Sequence, residues 1–187
     1  MGSQATVGII QSTRWPPLVE VPVVELPAGS PPQPGEQAPD FRRPLVTETH
    51  WTNVSLSELT NQSAVAILFY PLNWGGKSVY WWNEIRDREW GSEQLRIVGV
   101  GISQPFDHQR FIEAREMDYA IFSDPSNAVA DRYDIVHDLD GMAGVEEPIP
   151  AMFVVDTDRE IEHRWVASEW PETPPFDRIE EWFSDRL

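Results

Sequence analysis

AVAILFYPLNWGGKSVYWWNEIRD, residues 64–87, decides the fold. Its first part, Ala64 to Pro71, is an unbroken apolar run, as a strand buried on both faces requires. The Gly75-Gly76 pair then breaks the pattern. From about Lys77 to Trp90 a helix is expected, with Val79, Trp82 and Ile85 on one stripe. A buried strand that ends in a glycine turn and opens into a helix is a βα unit. Downstream, LRIVGVGIS (95–103) reads as a second buried strand and FDHQRFIEARE (106–116) as a helix. YAIFSDP (119–125) is a third strand and NAVADRYDI (127–135) a short helix. AMFVVDTD (151–158) and IEHRWVAS (161–168) form a hairpin about a DRE turn, and FDRIEEWFSDRL (176–187) is an amphipathic terminal helix. Upstream, residues 41–60 read as a hairpin and a turn, with Ser55 and Ser57 as helix-cap candidates. Two βα units, a hairpin and a closing helix specify an α/β domain: a mixed sheet flanked by helices on both faces.

Outside this core, Trp15 to Pro39 holds eight prolines in WPPLVEVPVVELPAGSPPQPGEQAP. Proline at that density blocks helix and interior strand and favours extended structure. The division expected is a proline-rich arm over 1–38 and a folded domain over 39–187, with an edge strand at Val21 to Glu25. The apolar residues Trp15, Leu18, Val21, Val23, Val24 and Leu26 are too many for a purely solvated linker. The arm is therefore expected to lie along a folded surface, its own domain's or a second chain's, anchored by Trp15 or by Val21–Leu26.

Charge and composition remove several functions. Thirty-one acidic and 14 basic residues leave a net charge of −17, and Lys77 is the only lysine. So acidic a surface repels nucleic-acid backbones and anionic lipid, so neither partner is expected. Acidity with lysine nearly absent resembles proteins of salt-in halophiles. Its self-repulsion predicts a melting temperature that rises between about 0.1 M and molar KCl, as the screening length falls from ~10 Å to ~3 Å. There is no cysteine, which excludes disulfides, thiolate nucleophiles and Cys-ligated metal. His50, His108, His137 and His163 show no ligand spacing, so neither metal nor cofactor is expected. No apolar run approaches the ~20 residues of a membrane span. MGSQATVGIIQSTRW lacks a basic n-region and a long apolar h-region, so the cytoplasm is the expected location.

Several segments in order resemble the peroxiredoxin (AhpC/TSA) family over about residues 35–187. These are GEQAPDF (35–41), VSLSEL (54–59), LFYP (68–71), VGVGIS (98–103), His108-x-x-Phe111, FSDPSNAVADRYDI (122–135) and FVVDTDREI (153–161). The resemblance implies a thioredoxin-like fold. It also implies a signature P-x-x-x-T-x-x-C, with Arg-Asp eight and nine residues beyond the cysteine. Here Pro71 fits the first position and Arg86-Asp87 the last, so the register holds. Gly75 stands at the threonine, Ser78 at the cysteine, and Pro150 at the family's second arginine.

Peroxide reduction needs an anionic nucleophile that can carry oxygen as a sulfenic acid. A serine hydroxyl does neither, and Pro150 cannot polarise a peroxide, so no catalytic residue is expected in this degenerate pocket of Pro71, Gly75, Ser78 and Pro150. Substitution at three positions together argues for a natural loss rather than a single Cys→Ser change. Gly76 and Lys77 sit where helix N–H groups face the old pocket, an anion-site geometry. Pro71 to Ser78 is also a near-miss to the phosphate loop, but with proline at the first glycine. Trp74 and Trp81 lie off the helix stripe and are candidate anchors for a protein contact. Two functions follow: a non-catalytic interaction or scaffold protein, with a protein partner or a homodimer, or an enzyme of altered chemistry using Ser78 or Lys77. The latter needs a base within reach of Ser78.

Overall fold

The computed structural model describes residues 23–27, 29–138 and 143–186. In chain order the elements are β1 (Val24–Glu25), β2 (Arg42–Val46), β3 (Trp51–Ser55), α1 (Leu56–Thr60), β4 (Ala64–Phe69), α2 (Gly76–Asp87), β5 (Leu95–Gly101), α3 (Pro105–Ala114) and β6 (Ala120–Ser123). Then come α4 (Ala128–Arg132), β7 (Val136–His137), β8 (Glu147–Pro148), β9 (Ala151–Val155), β10 (Ile161–Val166), β11 (Glu169–Trp170) and α5 (Phe176–Arg186). Within the described residues the expected strands and helices are present, with ends shifted by up to three residues, and residues 56–60, expected as a turn, form α1.

Seven strands form the central sheet in the order β10-β9-β4-β5-β6-β2-β3. β4 pairs parallel with β5 and β5 with β6, whereas β9, β10, β2 and β3 join antiparallel, so the sheet is mixed. The apolar run is buried on both faces because side chains alternate. Val65, Ile67 and Phe69 pack with Leu56, Val129 and Tyr133 on the face covered by α1 and α4. Ala66, Leu68 and Tyr70 pack with Trp82, Phe111 and Ile179 on the face covered by α2, α3 and α5. Ser55 caps α1 in a reciprocal capping box with Glu58.

Glycine alternates in β5 for a reason of contact. A Cβ at Gly99 would lie 2.6 Å from Trp82 and 3.0 Å from Tyr70, and one at Gly101 3.0 Å from Tyr70 and 3.2 Å from His108. The α2 helix and the Tyr70 ring thus press directly on the β5 backbone.

The described part of the arm lies against its own domain. Leu26 N–H donates to Ser168 O at 2.9 Å, and β1 pairs antiparallel with β11. The Arg164 guanidinium donates to Pro31 O at 3.0 Å, and Gly35 N–H donates to Ile161 O at 2.8 Å. Ala38 N–H donates to Arg159 O, and Leu26 and Ala38 are buried. The arm therefore runs along the outer side of β10 and β11, and that sheet edge is covered. Trp15 and Val21 lie outside the described residues.

Candidate functional site

The chain leaves β4 at Phe69 and turns through residues 70–75 before α2 begins. Successive residues of this turn look in two directions. Pro71, Leu72 and Gly75, with Gly76, Lys77 and Ser78 of the first helical turn, line a small cavity of about 60 Å³. Its other walls are Glu147 and Trp170. Tyr70, Asn73 and Trp74 instead reach toward α3.

Three of the four positions of the expected pocket, Pro71, Gly75 and Ser78, are brought together at the cavity. Pro150 is buried just ahead of β9, its carbonyl accepting from Ala167 N–H at 2.9 Å, and is not among the cavity walls. Arg86 is turned away: it donates to Asp87 and to the Arg115 carbonyl at 2.7 Å. Among the described residues no guanidinium lines the cavity.

Ser78 is 2 % exposed, and no histidine or carboxylate of the described residues hydrogen-bonds its Oγ. Gly75 caps α2 without a side-chain hydrogen bond, leaving the first N–H groups of the helix open on this side. Lys77, the expected anion ligand, donates to Thr173 Oγ1 at 3.1 Å, which moors its ammonium to the segment between β11 and α5. The buried Glu147 side chain stands on the facing wall.

The candidate contact residues divide. Trp74 is 52 % exposed, but Trp81 is fully buried and meets Trp170 edge-on at 6.4 Å, so Trp81 is no surface anchor. The reason is tertiary. β11 and the segment leading into α5 fold over α2, as Tyr80 against Phe176 also shows, giving the helix a second covered side. A one-stripe reading of α2 misses that side.

The other face of the turn is a closed polar knot. Tyr70 Oη donates to Asn73 Oδ1 at 2.7 Å and lies 3.3 Å from His108 Nδ1. Asn73 Nδ2 and Trp74 Nε1 both donate to the Asp107 carboxylate, the latter at 3.0 Å. Burial pushes His108 down to about 4, so it is neutral, with Nε2 3.4 Å from the Gly101 carbonyl. Burial works to raise Asp107, but bonds from Trp74, Ser103 and Asn73 outweigh it and hold the carboxyl below its ordinary value. Burial also raises the Tyr70 phenol well above its usual range. These groups fix the turn and do not touch the cavity. Glu147, Trp170 and the bonds of this knot were not singled out from sequence; of its members, His108 was legible through its spacing to Phe111 and Trp74 only as a candidate contact anchor.

Among the described residues no group of three or more His, Asp or Glu could hold a metal ion, and no helix is long and apolar enough to cross a membrane.

Comparison with known proteins agrees with this geometry. Peroxidoxin BcpB of Mycobacterium tuberculosis superposes with a TM-score of 0.62 at 26% identity, over 71% of this chain and 84% of that one. Reduced 2-Cys peroxiredoxin of Plasmodium vivax gives 0.68 at 17% identity, over 82% and 81%. Among curated sequences, the chloroplastic 2-cysteine peroxiredoxin of Chattonella marina var. antiqua is 24% identical over 141 residues, 71% of this chain and 69% of that one. For the chloroplastic 2-Cys peroxiredoxin BAS1 of Arabidopsis thaliana, also 24% identical, the match spans 51% of the relative's length. The AhpC/TSA family model matches residues 34–164. With its thioredoxin-like sheet, its motifs in order and no cysteine anywhere in the sequence, the chain belongs to the AhpC/TSA family in a degenerate form.

Proposed function

We propose that this protein is a non-catalytic AhpC/TSA domain that works by binding another protein. The observation that carries the reading is Ser78. It occupies the first turn of α2, in the small cavity, with no guanidinium among the described lining residues and no base of the described residues bonded to its hydroxyl. The relatives named 2-Cys peroxiredoxins are named for the residue this chain lacks. A hydroxyl that cannot ionise near neutral pH neither attacks peroxide nor stores its oxygen. The same absence of a bonded base weighs against Ser78 as a hydrolytic nucleophile.

The test is peroxide consumption by the purified chain with hydrogen peroxide or an alkyl hydroperoxide and a dithiol or thioredoxin donor. The expected rate equals that of the protein-free control. Turnover clearly above it would falsify the reading. Ser78→Cys yields a slow thiol at best, because Gly75 and Pro150 still supply neither hydroxyl nor guanidinium.

A further inference from the structure

We propose that the described arm is a strap that closes the Ser78 cavity, and that the cavity opens when residues 23–30 lift. The cavity has two kinds of wall. Pro71, Gly75 and Ser78 belong to the β4–α2 turn and the first turn of α2, which the central sheet and the polar knot hold. Glu147 and Trp170 stand opposite, on β8 and β11. Neither strand belongs to the seven-stranded sheet. Each pairs in a two-stranded ladder, β8 with β7 and β11 with the arm's own β1. From inside, α2 touches this far wall through Trp81 against Trp170 and Lys77 on Thr173. From outside, the arm holds it.

The arm spans both pieces of the far wall. Val24 pairs with Trp170 and Glu25 with Glu169, and Leu26 N–H donates to Ser168 O at 2.9 Å. Further along, Ser30 N–H donates to the Asp134 carboxylate, and a Cβ at Gly29 would overlap the carboxyl and carbonyl of that same residue. Asp134 lies two residues ahead of β7, and β7 pairs with β8 so that His137 stands opposite Glu147. The arm thus ties the strand of Trp170 to the corner that carries the strand of Glu147. Behind them Ser78 is 2 % exposed. The hold is one that can release. Of the described residues 23–30 only Leu26 is buried, and the hydrogen bonds of so exposed a segment open at little cost. From Pro31 onward the grip is firmer. Pro31 is buried and its carbonyl accepts from Arg164 at 3.0 Å, and Gly35 and Glu36 exchange backbone bonds with Ile161. Pro27, Pro31 and Pro32 stiffen the lifted chain, so release gains little entropy and the closed state is the resting one.

The strap stands whether or not the chain turns over peroxide, because its test measures access rather than chemistry. The chain has no cysteine, so Ser78→Cys supplies its only thiol. The rate at which a maleimide modifies that thiol reads how often the cavity opens. Modification is expected to be slow in the otherwise native full chain. Adding Gly29→Val, which drives a side chain into Asp134, should make it about tenfold faster or more. Leu26→Asp, which lifts the arm from its β11 end, should act in the same direction. Global unfolding is read separately by Ala66→Cys, a thiol at a fully buried position of β4. Its rate should be the same with and without either arm substitution. Linkage supplies the reciprocal measurement. A bulky maleimide on the Ser78→Cys thiol should prop the cavity open, free the arm and speed cleavage after Glu25 by a glutamate-specific protease. Labelling of Ser78→Cys that neither arm substitution accelerates overturns the proposal. So does an equal acceleration of Ala66→Cys, which makes the arm part of the cooperative core, or cleavage after Glu25 that the adduct leaves unchanged.

Discussion

The two sides of the turn between β4 and α2 share one backbone and have met different fates. Toward α3, Asn73 and Trp74 are tied by hydrogen bonds to Asp107, Tyr70 is tied to Asn73 and stands beside His108, and all but Trp74 and Asp107 are fully enclosed. Toward the cavity, Pro71, Leu72, Gly75 and Ser78 carry no comparable ties. The knot positions the turn against the sheet, so losing any member leaves buried groups unpaired. On the proposed non-catalytic reading, little in the fold depends on the identity of Gly75 and Ser78, which have no comparable network to maintain.

The comparison can be broken by unequal substitutions on the two sides. The largest effect is expected on the knot side at the β5 backbone. Gly99→Val forces a branched side chain into a site where even a Cβ lies 2.6 Å from Trp82. Overpacking of this kind costs about 3 kcal/mol, read as a lowered urea midpoint with unchanged slope. A loss below about 1 kcal/mol would show that Trp82 can move aside, and that this side is as loose as the other.

Next is pH. His108 is held neutral with a value of about 4, while in the unfolded chain it titrates near 6.5. Between those values the unfolded state binds a proton that the folded state refuses, so stability rises with pH. Going from 6.5 down to 4, this one group removes about 3 kcal/mol, at 1.4 kcal/mol per unit. Asp107, lowered from 3.8, and Tyr70, raised above 10, titrate outside the window. His108→Gln should flatten this part of the pH–stability curve, and an equally steep curve in the variant assigns the slope to other groups.

Tyr70→Phe is smaller. It removes the hydroxyl that donates to Asn73 and leaves a buried carbonyl unpaired, at a cost of about 1–2 kcal/mol in the same denaturation assay. The smallest effect belongs to the cavity. Ser78→Ala deletes a hydroxyl that has no hydrogen-bond partner among the described residues, and stability should change by less than about 0.5 kcal/mol. A loss as large as that of Tyr70→Phe would mean that Ser78 is structural, and the contrast between the two sides would fail.

Much of this was legible along the chain because the signals are local. The apolar run 64–71 announces a strand covered on both faces, and the order of motifs from GEQAPDF to FVVDTDREI carries the family. The absence of any cysteine settles, without a structure, that no thiolate acts. The contacts that shape the site were not legible, because they join residues far apart in sequence. Glu147 and Trp170 reach the cavity wall only through the crossovers that set β9 beside β4 and fold β11 over α2. Trp81 is buried by that same overhang, although helical periodicity counts a single buried stripe. The arm's prolines predict extended chain, but that part of it covers the outer side of β10 follows from topology, which leaves β3 as the uncovered edge and Trp51 exposed on it. Periodicity reports how much of a residue is covered; which residue covers it is decided by the path of the chain through space.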